Sequence, residues 1–289
     1  LKTFECPDFV AVGHVCQDIL PDGSLGLGGS VSYAATTAHR LGYRVGAVTS
    51  TGPDLDATKV LPGVEIVCRR SVATTVFENI YFDGRRRQIL HERADVITCE
   101  QIPHAWRRAP MVYVGSIDQE IDPSVFRCFA DEAIICVMPQ GFFRRWDEQG
   151  QVFFTEWTPA EAILRCINVL VISELDVPDP VRLACDWGRF IDTIVVTRAE
   201  RGASVYHAGE PRHYPARPTQ QVDPTGAGDV FAAAFLIRLT ETGDPRLAAS
   251  FANAVASFSV EGPGMTAIPQ RQQVEAYLKT AGERTIPPF

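Results

Sequence analysis

No stretch of the chain is apolar for long enough to cross a bilayer, and Leu1-Lys-Thr-Phe-Glu-Cys-Pro7 lacks the apolar core of a secretory leader. A cytoplasmic location without a membrane partner is therefore expected. Basic charge is short as well: 27 Lys and Arg against 35 Asp and Glu leave a formal charge of −8. A nucleic-acid groove needs a basic face, and Arg85-Arg86-Arg87 is too short a run to make one, so no nucleic-acid partner is expected. Paired cysteines are missing too. Cys6, Cys16, Cys68, Cys99, Cys128, Cys136, Cys166 and Cys185 are scattered, mostly in apolar stretches, with no Cys-x-x-Cys, which favours reduced thiols. The six histidines show no metal-ligand spacing. No Gly-x-Gly-x-x-Gly follows the first strand, which argues against a dinucleotide-binding oxidoreductase. With no repeat, low-complexity tract or linker, the 289 residues are expected to form a single domain.

What the chain does contain is an alternation of strand-length apolar runs with helical segments, the pattern of a mostly parallel sheet covered on both faces. Phe9-Val-Ala-Val-Gly-His14 reads as the first strand. A helix over Val31 to Leu41, ended by Gly42, and a strand over Val45 to Ser50 follow. Thr74–Phe82 and Arg85–Leu90 flank Asp83-Gly84, a strong two-residue hairpin signal that interrupts the alternation. Short buried strands resume at Met111–Gly115, Ile134–Met138, Val169–Ile172 and Thr193–Thr197. An edge hairpin of Ala203–His207 and Arg212–Pro215 precedes helices at Ala227–Thr240, Asp244–Val260 and Gln270–Ala281.

The most informative segment is Asp223-Pro-Thr-Gly-Ala-Gly-Asp229, which opens the apolar helix Val230-Phe-Ala-Ala-Ala-Phe-Leu-Ile. Its glycines let a ligand approach the backbone, and unpaired helix N–H groups with the positive dipole end favour an anion there. Asp229 would repel a phosphate, so it suits a base that takes a proton; a first-turn acid that merely complements the dipole is the alternative.

The extended string resembles the C-terminal signature of the ribokinase-like (PfkB) family of carbohydrate kinases. The resemblance implies ATP-dependent phosphoryl transfer to an alcohol, with Asp229 as catalytic base and Gly226, Ala227 and Gly228 as the anion hole. Gly28-Gly29, continuing as Ser-Val-Ser-Tyr-Ala-Ala and on to Asp54, resembles the family's N-terminal signature, so the likeness covers nearly the whole chain. The implied fold is an α/β three-layer sandwich with a mostly parallel central sheet and a small β-sheet lid, its elements at about 14–27 and 70–92. Val76, Ile80 and Phe82 offer an apolar lid face, which suits either a homodimer paired through the lid, as the resemblance implies, or a cover over the active site of a monomer.

Residue by residue, the resemblance makes Asp18, Gly28 and Gly29 contacts to substrate hydroxyls, which a carboxylate suits because it accepts two hydroxyl protons. Tyr33 stands where many relatives have Asn, which opens the substrate's identity. On the nucleotide side, Thr197 and Gly202 match a Thr-x-Gly-x-x-Gly turn whose first glycine is Ala199 here. Ser173 and Asp176 stand for Asn-x-x-Glu, which organises water around magnesium. Asn253 falls near the adenine pocket, and Asp223 is a candidate for a monovalent cation such as K+. The lid sequence with Gly13–Asp18 and Pro139-Gln-Gly141 looks more like the inositol-kinase-like branch, which would turn Glu78, Asn79 and Gln140 toward a ring of hydroxyls. A cyclitol is the first expectation, then a furanose sugar, then a nucleoside stacked on Phe77, Tyr81 or Phe82. A catalytically inactive nucleotide- or sugar-sensing module is the reading from another class; Ala199, Ser173 and Asp176 invite it, and Asp229 with the intact Gly-Ala-Gly opposes it.

Overall fold

The strands are short and apolar because most are buried on both faces. In β1 (Phe9–Val12), Phe9 and Ala11 enter one core while Val10 and Val12 enter another on the far side. A computed structural model of the protein describes residues 5–82, 85–208 and 210–282. After β1 come β2 (Cys16–Ile19), β3 (Leu25–Gly28), α1 (Ser30–Arg40), β4 (Val45–Thr51), α2 (Ala57–Val60), β5 (Val64–Arg70), β6 (Val76–Phe82) and β7 (Arg85–Glu92). Next are β8 (Met111–Gly115), β9 (Ile134–Met138), β10 (Arg144–Trp146), β11 (Val152–Phe154), α3 (Glu161–Leu164), β12 (Val169–Ser173), α4 (Pro180–Trp187) and β13 (Thr193–Thr197). The chain continues through β14 (Ala203–His207), β15 (Glu210–Tyr214), α5 (Ala227–Thr242), α6 (Pro245–Ser259) and α7 (Arg271–Gly282).

The main sheet has nine strands in the order β15-β14-β13-β12-β9-β8-β1-β4-β5. It is parallel from β13 through β5, and the β13–β14–β15 edge is antiparallel, as expected. Residues of α1, α5, α6 and α7 build the core on one face; residues of α3, α4 and the short turns around Trp106 and Val125 build the other. This is the expected three-layer α/β arrangement. The cysteines are free thiols, and among the described residues no helix is long and apolar enough to cross a membrane.

A second sheet, in the order β3-β2-β6-β7, draws its strands from both segments expected to form a lid. The Asp83-Gly84 turn lies outside the described residues. Several elements were not anticipated, among them β5, the β10–β11 hairpin and the helices α2, α3 and α4. Strand β5, Val64-Glu-Ile-Val-Cys-Arg-Arg, lies at the sheet edge and carries polar residues where a central strand would be apolar. The β10–β11 hairpin packs against the lid, joined to it by an Ile89–Gln151 bridge and a 2.8 Å bond from Leu90 N to Gly150 O.

Candidate active site

Helix α5 starts abruptly because Gly226 takes a left-handed conformation, φ 72°, that a side chain disfavours. Tyr33 of α1 fills the space beside it: a Cβ on Gly226 would lie 2.2 Å from Cδ1 of that ring. The first full helical bond is Val230 N to Gly226 O, at 2.9 Å. Ala227 N bonds Pro224 O at 3.2 Å, whereas the amides of Gly228 and Asp229 have no protein acceptor among the described residues. These amides sit at the positive end of a 16-residue helix, ready for an anion. Of the expected anion hole, then, the Ala227 amide is already engaged and the Asp229 amide is added.

The Asp229 carboxylate is surrounded by protein, although the residue as a whole is half-buried. Desolvation raises its pKa to about 6, and nearby Asp176 raises it as well. Hydrogen bonds from Tyr113 and Ser30 and the charge of Arg144 pull the other way. Tyr113 Oη donates to Oδ1 at 2.6 Å. Burial and the neighbouring carboxylate hold the Tyr113 phenol well above its ordinary pKa, so it remains a neutral donor. A carboxylate tuned in this way is ionised at neutral pH yet basic enough to accept an alcohol proton.

Of the residues expected to contact the acceptor, Asp18, Gly28, Glu78 and Asn79 lie on the second sheet. Strand alternation and register put Cys16, Asp18, Phe77 and Asn79 on one face. Gly28 lies against this group, where a Cβ would stand 2.1 Å from Asp18 Oδ2 and 3.1 Å from Cys16 Sγ. Asn79 Oδ1 accepts a 3.0 Å bond from Gln88. Glu78 cannot share that face with Asn79, because neighbours in a strand point to opposite sides; it meets His91 Nε2 at 2.9 Å on the outer face. Tyr33, expected to touch substrate, is instead 3% exposed and packed under the Gly226 turn.

Among the residues expected to face the donor, Asp176 Oδ2 accepts from Ser173 N at 2.7 Å, and its Oδ1 accepts from Gln140 Nε2 at 3.1 Å. Gln140 thus bonds to the donor-side acid, whereas it was expected to face substrate hydroxyls. Thr197 ends β13, beside Ser173 at the end of β12. Ala199 keeps the left-handed backbone, φ 50°, at the position where relatives carry glycine, and Gly202 closes the same turn with φ 94°. The Asn253 side chain is buried and donates to Tyr214 O and Pro215 O, at 2.9 and 3.3 Å. Asp223 ties two loops, accepting from Thr225 N at 2.9 Å and Gly264 N at 2.8 Å, and these bonds hold its pKa down against burial.

Three side chains escaped the sequence reading: Tyr113, Ser30 and Arg144, all acting on Asp229. Tyr113 sits inside an apolar strand, where it looks like core; Ser30 looks like the start of a helix. Neither carries a local signal.

Residues 173–271 match the model of the pfkB family carbohydrate kinases. The chain is 26% identical to a cytidine kinase of Thermococcus kodakarensis over 79% of its own length and 87% of that enzyme. It is 28% identical to an inositol 3-kinase of Arabidopsis thaliana, over 88% of this chain and 74% of that one. Among solved structures, a pyrophosphate-dependent kinase in the ribokinase family, complexed with a pyrophosphate analog and myo-inositol, superposes with a TM-score of 0.78. It is 25% identical, and the match covers 93% of this chain and 99% of that one. Residues 173–271, Asp229 among them, thus carry the likeness to the pfkB family carbohydrate kinases, and the chain shares the ribokinase-like fold along nearly its whole length.

Proposed function

We propose that the protein transfers a phosphoryl group to a hydroxyl of a sugar or cyclitol, with myo-inositol or a related polyol as first acceptor and ATP as donor. The observation that carries this reading is Asp229: its pKa is about 6, Tyr113 holds it, and its own amide and that of Gly228 lie open at the same helix mouth. Asp229 accepts the hydroxyl proton as the oxygen attacks, and the amides of Gly228 and Asp229 stabilise the phosphoryl charge from the α5 side. Asp18 grips a second hydroxyl and orients the ring, while the lid excludes water that would otherwise compete for the phosphoryl group. Magnesium fits the donor side, where Asp176 lies near enough to Asp229 to raise its pKa; when bound it would neutralise charge on the donor phosphates.

A polyol suits the lid face better than a nucleoside does. Phe77 is 3% exposed, packed with Cys16, Leu90 and Ile117 and covered by the Arg144 guanidinium at 5.5 Å, so its ring offers no face to a base; the side chains of Tyr81 and Phe82 lie outside the described residues. A second reading concerns the donor. The Asn253 amide is engaged with Tyr214 and Pro215, and the similar solved kinase is pyrophosphate-dependent; both favour pyrophosphate as an alternative to ATP. The test is a matrix of ATP and pyrophosphate against myo-inositol, other cyclitols, furanoses and nucleosides, with product identified by mass. Turnover confined to cytidine, or none with any alcohol, overturns the polyol reading.

A further inference from the structure

The chain passes between the main sheet and the lid at several points, and three of these crossings meet in one buried polar cluster. His14 lies between β1 and β2, Thr75 precedes β6, and Arg93 to Asp95 follow β7. Asp118 and Glu120 come from the loop after β8. His14, Thr75, Asp118 and Glu120 are all 0% exposed.

A single hydroxyl joins the crossings. Thr75 Oγ1 pairs with His14 Nδ1 at 2.9 Å, donates to Asp118 Oδ2 at 3.3 Å and accepts from Ala94 N at 3.0 Å. Arg93 donates to the Asp118 carbonyl at 2.8 Å and to its Oδ2 at 3.3 Å, while its guanidinium lies 4.6 Å over the Trp146 ring of the bracing hairpin. His14 Nε2 donates to Asp95 O at 3.0 Å. Burial opposes charge on His14, but Asp118 and then Glu120 outweigh it and raise its pKa. Asp118 thus faces both the His14 imidazole and the Arg93 guanidinium, while burial and the Asp118 charge push the Glu120 pKa up.

Although His14, Asp118 and Glu120 have metal-ligand chemistry and lie close together, they form a closed cluster rather than an ion site. The Glu120 oxygens are occupied by Ser116 Oγ and the amides of Ile117 and Asp118 at 2.8 to 3.0 Å. A dication would have to displace those donors and face Arg93. Asp118 Oδ1 has His14 Nδ1 at 3.4 Å but accepts no hydrogen bond among the described residues, while the other members are paired; buried polar groups paired in this way fix one arrangement, because breaking a member leaves others unpaired in a medium without water.

We propose that Thr75, together with Asp118 and His14, is the positioning centre of the lid, pinning its inner face and Asp18 opposite α5 before any acceptor arrives. The lid of this chain is then a braced wall, held at its root by the cluster and at its β7 edge by the β10–β11 hairpin. The consequence for catalysis rests on the proposed kinase reading; the mechanical claim does not.

The test is Thr75→Val, which removes the hydroxyl at nearly constant volume, compared with Thr75→Ser, which keeps it. Amide hydrogen exchange on the ligand-free protein is expected to rise about tenfold or more in β2, β6 and β7 of Thr75→Val, with β8, β12 and β13 unchanged and Thr75→Ser like wild type. With an acceptor that the wild type phosphorylates, Thr75→Val should raise the acceptor KM and the donor hydrolysed per transfer, leaving the donor KM unchanged. Should Thr75→Val not fold, Arg93→Gln at the partly exposed edge of the cluster should give the same lid-confined pattern more weakly. Exchange that rises equally in sheet and lid, or does not rise at all, overturns the proposal. Because exchange is read without turnover, a chain that phosphorylates no alcohol would refute the kinase reading and leave this result standing.

Discussion

Tyr113 Oη donates a 2.6 Å hydrogen bond to Asp229 Oδ1, from mid-strand in β8 to the first turn of α5. The donor is neutral and buried, so it stabilises the carboxylate without competing for the proton that the carboxylate must accept.

Removing that donor should leave less of the base ionised at neutral pH. The bond from Tyr113 lowers the Asp229 pKa, so Tyr113→Phe raises it above about 6. A hydrogen bond to a charged group contributes about 1.5 to 3 kcal/mol, which is on the order of one to two pH units. The acid limb of kcat/KM, near pH 6 in the wild type, should move up by about that much, measured as a pH profile with the best acceptor.

Asp229→Asn should lose transfer by about a hundredfold or more, the range for a general base, while donor binding measured by calorimetry persists. Its effect on stability follows from the direction of the shift. The folded pKa lies above the ordinary aspartate value of 3.8, so the folded state holds this proton more tightly than the unfolded one. Stability from this group is therefore present below about pH 4 and lost as pH rises through about 6. Asn removes the penalty, and after allowance for solvent around the half-buried residue the mutant should be more stable at about pH 8 by on the order of 1 to 2 kcal/mol. Melting curves at acidic and alkaline pH check both ends.

Acceptor and donor effects should separate at two glycines. Gly28→Ala places a methyl 2.1 Å from Asp18 Oδ2, so the carboxylate must swing away. The acceptor KM should rise about tenfold, as for one lost charge-assisted hydrogen bond, with the donor KM unchanged. Gly226→Ala meets the buried Tyr33 ring at 2.2 Å in a left-handed backbone; the loss should appear in kcat and the donor KM. Initial-rate matrices in both substrates distinguish the two.

Ala199 has a left-handed backbone at φ 50° without being glycine, a conformation that costs about 1 to 2 kcal/mol. Ala199→Gly should relieve it, less the entropy that glycine loses on folding, for a net gain of about 0.5 to 1 kcal/mol. Ala199→Val should destabilise. Denaturant midpoints at unchanged slope test the pair.

Much of this architecture could be read locally. The parallel strands announced themselves as short apolar runs, and Gly42 marks a left-handed helix end with φ 95°. The β10–β11 hairpin was not legible, because three-residue strands are too short to show alternation. Glu78 and Asn79 look equivalent in a polar stretch of lid; their separation follows only once Asp18 is paired with Phe77, which sets which face looks inward. Gln140 could be marked as polar near the site, but its partner Asp176 lies 36 positions away on another loop.

The sequence by itself determined most strands of the main sheet, the helices α1, α5, α6 and α7, and the acid at the mouth of α5, because periodicity and turn chemistry act over a few residues. Only the tertiary structure decided what surrounds that acid. Tyr113 reaches Asp229 from 116 positions away, and Thr75 joins crossings that are distant in the chain. Such contacts depend on sheet order and strand register, which emerge when the layers pack and no local pattern encodes them.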